Sequence, residues 1–153
     1  MKKLLLCVAM LLAMVMLWAC DASILPIEDT NGEADATLAT LTDSDLTDPT
    51  PQVIKRGAKQ SNKKGVYTLN VKQMSGVEVL YSFHADSEQT YRFKVTSSLT
   101  SGNLRLFAVA DGAIIADIPV GKEQDVTISS ISGVTSLRAA AESAAFSVEI
   151  RRL

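Results

Sequence analysis

Apolar and polar residues alternate from about Val66 to Ile150, which predicts an all-β fold: a small antiparallel β-sandwich of about eight strands after a disordered tether. Two further observations agree. Turn-forming pairs such as Asp111-Gly112 punctuate the alternation at short intervals. An acidic, low-complexity stretch precedes it and stops abruptly.

The strands follow in order. Tyr67, Leu69 and Val71 share one phase. Val77, Val79, Tyr81 and Phe83 alternate with Glu78, Leu80, Ser82 and His84, and Tyr91, Phe93 and Val95 with Arg92, Lys94 and Thr96. Each pattern gives one buried and one wet face. Leu104 to Ala110 is apolar on both faces except for Arg105, as a central strand would be. Ile114 to Val120 and Val126 to Ile131 continue the series. Leu137, Ala139 and Ala141 suit a helix or a strand, and the neighbouring strands favour the second. Phe146, Val148 and Ile150 close the chain. Reversals are expected at Ser101-Gly102-Asn103, Asp111-Gly112, Val120-Gly121-Lys122 and Ser132-Gly133. The domain, 62–153, is large enough for one core.

Charge divides the preceding segment. Asp21, Glu28, Asp29, Glu33, Asp35, Asp43, Asp45 and Asp48 fall in a stretch without Lys or Arg. Lys55, Arg56, Lys59, Lys63 and Lys64 then follow without an acid. Residues 21–52 hold no aromatic ring, and Asp48-Pro49-Thr50-Pro51 interrupts helix and strand alike. The expectation is a disordered tether with a basic segment at its end, the two covering 20–61. A flexible coil of about 32 residues spans roughly 30 Å, enough to hold a domain off a surface.

The first twenty residues indicate that surface. Lys2 and Lys3 precede an apolar run from Leu4 to Ala19. As a helix it would be roughly 24 Å long, short of the ~30 Å bilayer core. This is the layout of an export signal, 1–19. Leu17-Trp18-Ala19-Cys20 resembles the lipobox of bacterial lipoproteins, with Trp18 bulkier than is usual there. The resemblance implies a diacylglyceryl group on Cys20, cleavage before it, and a lipid bilayer as partner on the extracytoplasmic side of the cell membrane. Two acyl chains give stable anchoring where one is marginal. The order of Tyr81-Ser82-Phe83, Tyr91-Arg92-Phe93, Gly102-x-Leu104-x-Leu106 and Phe146 to Ile150 resembles small secreted jelly-roll and pre-peptidase C-terminal-like sandwich modules. It implies a jelly-roll-like fold and no particular ligand.

The same residues bound the chemistry. Cys7 leaves with the signal and Cys20 is acylated, so neither a disulfide nor a cysteine nucleophile is expected. His84, the single histidine, falls on a wet face near Asp86 and Glu88, as a surface residue would. Asp86, Glu88, Asp111, Asp117, Glu123 and Asp125 sit at turns without calcium-loop spacing. Tyr81 and Tyr91 share the buried phase, Tyr67 is the least constrained ring, and Trp18 leaves with the signal, which argues against a flat sugar platform. Neither a Gly-x-Ser-x-Gly elbow nor a phosphate loop occurs. The expectation is a membrane-anchored envelope lipoprotein, not an enzyme and without a cofactor or metal, that presents a binding or interaction module. The alternatives are an accessory structural lipoprotein of a membrane complex and a glycan-binding module. Lys55, Arg56, Lys59, Lys63 and Lys64 are the candidate contacts to an anionic surface, with an envelope protein or anionic wall polymer as partner and no nucleic acid.

Overall fold

The protein's structure is a computed structural model, and it describes residues 38–130 and 132–153. The expected signal segment, Cys20 and the acidic stretch up to residue 37 lie outside the described residues. A short helix α1 (Asp43–Thr47) precedes β1 (Val53–Arg56), β2 (Lys59–Lys63), β3 (Val66–Ala85), β4 (Gln89–Ala110), β5 (Ala113–Ile118), β6 (Glu123–Ser130) and β7 (Gly133–Arg152). All seven strands join one antiparallel sheet of order β1-β3-β7-β4-β5, with β2 also on β3 and β6 also on β4.

β3, β4 and β7 run for 20, 22 and 20 residues, far beyond the ~5–6 typical of a strand. Each bends where its register shifts. Between β3 and β7 this happens from Val71 to Gly76, and between β4 and β7 from Leu99 to Asn103. Gly76 (φ +103°), Gly102 (φ +77°) and Ser143 (φ +51°) mark the bend on the three strands. A Cβ on Gly102 would stand 2.6 Å from the Ser143 carbonyl oxygen, and one on Gly76 would collide with that of Gln52. Only glycine allows these approaches and the positive φ together. The Ser143 N–H donates to Ser75 Oγ at 3.1 Å across the bend.

The bend divides the sheet into two halves. One contains residues 66–71, 89–99 and 146–152 with β2 and β6, and the other residues 76–85, 104–110 and 133–141 with β5. Their inner faces share a single core. Tyr67, Leu69, Phe93, Val95, Ile128 and Val148 come from the first half, and Leu80, Leu104, Leu106, Ile118 and Leu137 from the second. Ala139 and Ala141 are fully enclosed and stand directly across the register from Leu106 and Leu104, so the middle strand stays thin beside bulky neighbours. Tyr81 and Phe93 meet edge to face at 5.7 Å, and Phe83 and Tyr91 lie 4.4 Å apart. This is the all-β antiparallel sandwich that the alternation predicts.

The division into strands differs from the sequence expectation. Three pairs of expected strands are single bent strands, because bulges turn the chain without interrupting its hydrogen bonds. Ser101-Gly102-Asn103 is therefore a bend within β4, not a reversal. Asp111-Gly112 is the tight hairpin expected, with φ +50° and +70° between paired Ala110 and Ala113. Val77 points outward beside Ala140, and the shift between Val79 and Tyr81 carries Leu80 into the core.

Residues 38–61 also differ, since they are built onto the domain rather than lying in a tether. Leu46, with 2% exposure, packs with Val77, Phe107, Val109 and Ala140 on the outer face of the second half, and Leu38 and Leu41 lie against the same cluster. The face needs this cover because β4 is apolar on both sides there. Asp45 accepts hydrogen bonds from the Thr42 N–H (2.8 Å) and hydroxyl (2.7 Å), which starts the helix and lowers the Asp45 pKa. Arg138 Nη1 donates to the carbonyls of Leu46 (2.9 Å) and Asp48 (2.6 Å). Glu142 accepts from Ala39 N (3.0 Å), Thr40 N (2.6 Å) and Thr40 Oγ1 (2.7 Å). Residues 38–50 thus form a strap. The Arg138 clamp satisfies strap carbonyls that packing takes out of water, and the Glu142 clamp holds exposed backbone at the strap's start.

Candidate functional site

The outer face of the first half carries no such cover from the described residues. Its side chains follow from the register, because the alternate residues Tyr67, Leu69, Phe93, Val95, Val148 and Ile150 are buried. Ser61, Thr68, Glu149, Thr96 and Glu123 form one row across five strands. Lys59, Asn70, Ser147 and Ser98 form the next. Between them lies an open depression of about 410 Å³, lined by Lys59, Ser61, Thr68, Asn70, Thr96, Ser147 and Glu149 among others. It offers hydroxyls, an amide and charged groups, and it has no aromatic side chain in its lining.

Charge is uneven across this face. On the β6 side, cations have partners: Lys94 meets Glu123 at 3.0 Å, Arg92 meets Asp125 at 3.3 Å, and Arg151 meets Glu149 at 3.5 Å. The hydrogen bond with Lys94 lowers the Glu123 pKa and raises that of Lys94. On the β1–β2 side, Arg56, Lys59, Lys63 and Lys64 have no ion pair among the described residues. Lys64 stands at the tip of a two-residue hairpin with Gly65, both at positive φ, between paired Lys63 and Val66. Lys72 joins them. Its stem lies against Gly57, where a Cβ would stand 2.8 Å from Lys72 Cδ.

The five basic residues singled out in the sequence therefore divide. Lys55 turns toward the core side and meets Glu78 at 2.6 Å, half sheltered from solvent. The other four are exposed along β1, β2 and the hairpin from β2 to β3. They stand on strands, not on a spacer, so the sheet fixes their separation. Lys72 escaped the sequence argument because it stands alone in the chain, and only the pairing of β3 with β1 and β2 brings it to the cluster.

The other candidates fall apart. His84 is exposed, with Nε2 3.6 Å from Asp86. Asp117 is held by Arg105 at 2.8 Å. Among the described residues no group of three His, Cys, Asp or Glu converges as metal ligands would, and no helix is long and apolar enough to cross a membrane. Tyr67, the ring least constrained by the sequence, is 3% exposed and buried on the phase it shares with Leu69 and Val71. Its hydroxyl is enclosed without a hydrogen-bond partner among the described residues. Burial, and then the nearby Glu78 charge, push its pKa up to about 12. Cys20 lies outside the described residues.

No protein-family model matches this chain, and no curated protein does. Among solved structures, a point mutant of a family 29 carbohydrate-binding module is similar over 66% of this chain and 77% of its own, with 11% identity and a TM-score of 0.40. A point mutant of CBM29-2 is similar over 66% of this chain and 72% of its own, with 13% identity and a TM-score of 0.34.

Proposed function

We propose that this chain is a non-catalytic binding module of the cell envelope, anchored through lipid on Cys20, and that its uncovered outer face binds an anionic wall polymer. The observation that carries the proposal is the group of cations Arg56, Lys59, Lys63 and Lys64, without an ion pair among the described residues, together with Lys72 on the β1–β2 side of the sheet, where Lys59 lines the polar depression. Cations held on a sheet edge meet a chain of repeating negative charges without each being ordered separately, which lowers the entropic cost of binding. The neighbouring hydroxyl and amide groups can bond to the polymer's own oxygens. The tyrosine and phenylalanine rings of the sandwich lie in or against the core, so stacking on a neutral sugar has less support than charge pairing.

The test is co-sedimentation of the full chain, carrying Cys20→Ser, with poly(glycerol phosphate) on beads across a salt series. Binding at low salt should weaken steeply as salt rises, since screening acts over about 8 Å at physiological ionic strength. Changing Arg56, Lys59, Lys63, Lys64 and Lys72 to Gln should abolish it. Binding that survives this change, or that persists at high salt, contradicts the proposal.

A further inference from the structure

A second cleft, of about 550 Å³, opens on the opposite half, where the strap ends. One wall is Thr47 and Pro49, and Val79, Val109 and Val134 give an apolar lining. Arg138 lines it too, although it is only 6% exposed. A buried guanidinium ordinarily has a carboxylate partner. Arg138 has none within ion-pair distance among the described residues. The nearby Asp48 carboxylate instead accepts from the Thr50 N–H and hydroxyl.

The donors of Arg138 are only partly used. Nε donates to Ser136 Oγ at 2.9 Å, and Nη1 donates to the two strap carbonyls. Nη2 donates to no group among the described residues. The single enclosed side-chain polar atom without a partner among them is the Tyr67 hydroxyl, so Nη2 keeps contact with open space. The hydroxyls of Ser82 and Ser136 also line the cleft. From this geometry we propose that the cleft is a binding site for a monocarboxylate on a compact apolar body. The carboxylate accepts from Arg138 Nη2 and a neighbouring serine hydroxyl, and the body packs on Val79, Val109 and Val134. Asp111 also lines the cleft, and its charge disfavours a dianion such as phosphate. The volume suits a small ligand or the last residue of a peptide. The site is separate from the basic face and does not rest on the function proposed for it.

Isothermal calorimetry on the full chain in lipid nanodiscs tests this, with N-acetyl-leucine, benzoate and N-acetyl-leucinamide as probes. The two acids should bind saturably and the neutral amide at least about ten-fold more weakly, the factor carried by one charge-assisted hydrogen bond. Because Arg138→Lys loosens the strap as well, Ser82→Trp supplies the second test. It fills the cleft without touching the Arg138–strap bonds and should abolish acid binding while amide exchange of the strap stays unchanged. Paired peptides ending in free or amidated leucine identify the source. If only the free-ended peptide binds, a chain end is accepted. If neither peptide binds while benzoate does, the ligand is a small free acid. Equal binding of acid and amide, unchanged binding in Ser82→Trp, or no acid binding up to about 10 mM overturns the site.

Discussion

The outer faces of the two sheet halves share three strands and differ in almost everything else. On one, Val77, Phe107, Val109 and Ala140 pack under the strap, and a cleft opens only where the strap ends. On the other, Thr68, Asn70, Ser147 and Glu149 remain open to solvent beside cations without an ion pair among the described residues. The same backbone makes both faces, so the difference lies wholly in the residues at the outward positions. An apolar outward row must be covered to avoid a water-exposed patch. A polar outward row needs no cover and is free to meet a partner.

Breaking the face under the strap should have the largest effects. Phe107→Ala removes a fully buried ring from the strap contact and should cost about 3–5 kcal/mol in urea denaturation. Leu46→Ala removes the strap's own buried anchor and should cost about 2–3 kcal/mol, with loss of amide protection spreading over residues 38–48. A change in Leu46→Ala no larger than that of a surface substitution would mean that the strap adds nothing to stability.

Acid should loosen the strap from its other clamp. The Thr40 hydroxyl, followed by the backbone N–H groups of Ala39 and Thr40, holds the Glu142 pKa down to about 2. A lowered folded-state pKa stabilises above the unfolded value and is lost as pH falls through the folded one. Protection of the Ala39 and Thr40 amides should therefore be complete above about pH 4.5 and fade toward pH 2. Glu142→Gln should abolish the pH dependence, measured by hydrogen exchange across that range.

Tyr67→Phe sharpens the contrast from inside the core. Its hydroxyl is enclosed without a partner among the described residues, so removing it should stabilise the fold by up to about 1 kcal/mol. A phenol titrating near pH 12 in the ultraviolet should vanish with it. The raised pKa stabilises below the unfolded tyrosine value near 10 and is lost as pH rises through 12. A destabilised Tyr67→Phe would mean that the hydroxyl has an unseen partner. The smallest effect belongs to the open face, where Thr68→Ala should stay within about 0.5 kcal/mol.

Much of this contrast could be read from residue order, and its limits are physical. Period two revealed the faces of β4 and β7, and the doubly apolar stretch from Leu104 to Ala110 signalled a central strand, which lies between β7 and β5 with core on one face and the strap on the other. What covers it could not be read. Leu38, Leu41 and Leu46 lack a period because a strap follows the surface it lies on, not a helix or strand repeat. The strand division failed at Gly102, since a glycine that bends a strand and one that reverses the chain look alike in sequence. β1 and β2 were hidden by their charge: polar edge strands resist unwanted pairing, and the same lysines read as a solvated spacer. The basic residues stand out in the chain, but their grouping with Lys72 and the separation of Lys55 needed the register.

The central claim is that the open, basic-edged face meets the envelope polymer, whereas the strap's contact with the other face is structural. Lysine acylation of the full chain, followed by mass spectrometry with and without poly(glycerol phosphate), tests it most directly. Lys59, Lys63, Lys64 and Lys72 should be protected by the polymer at low salt. Lys122, exposed between β5 and β6, should react equally with and without it. Protection of Lys122 to the same degree, or none at the four edge lysines, would contradict the account.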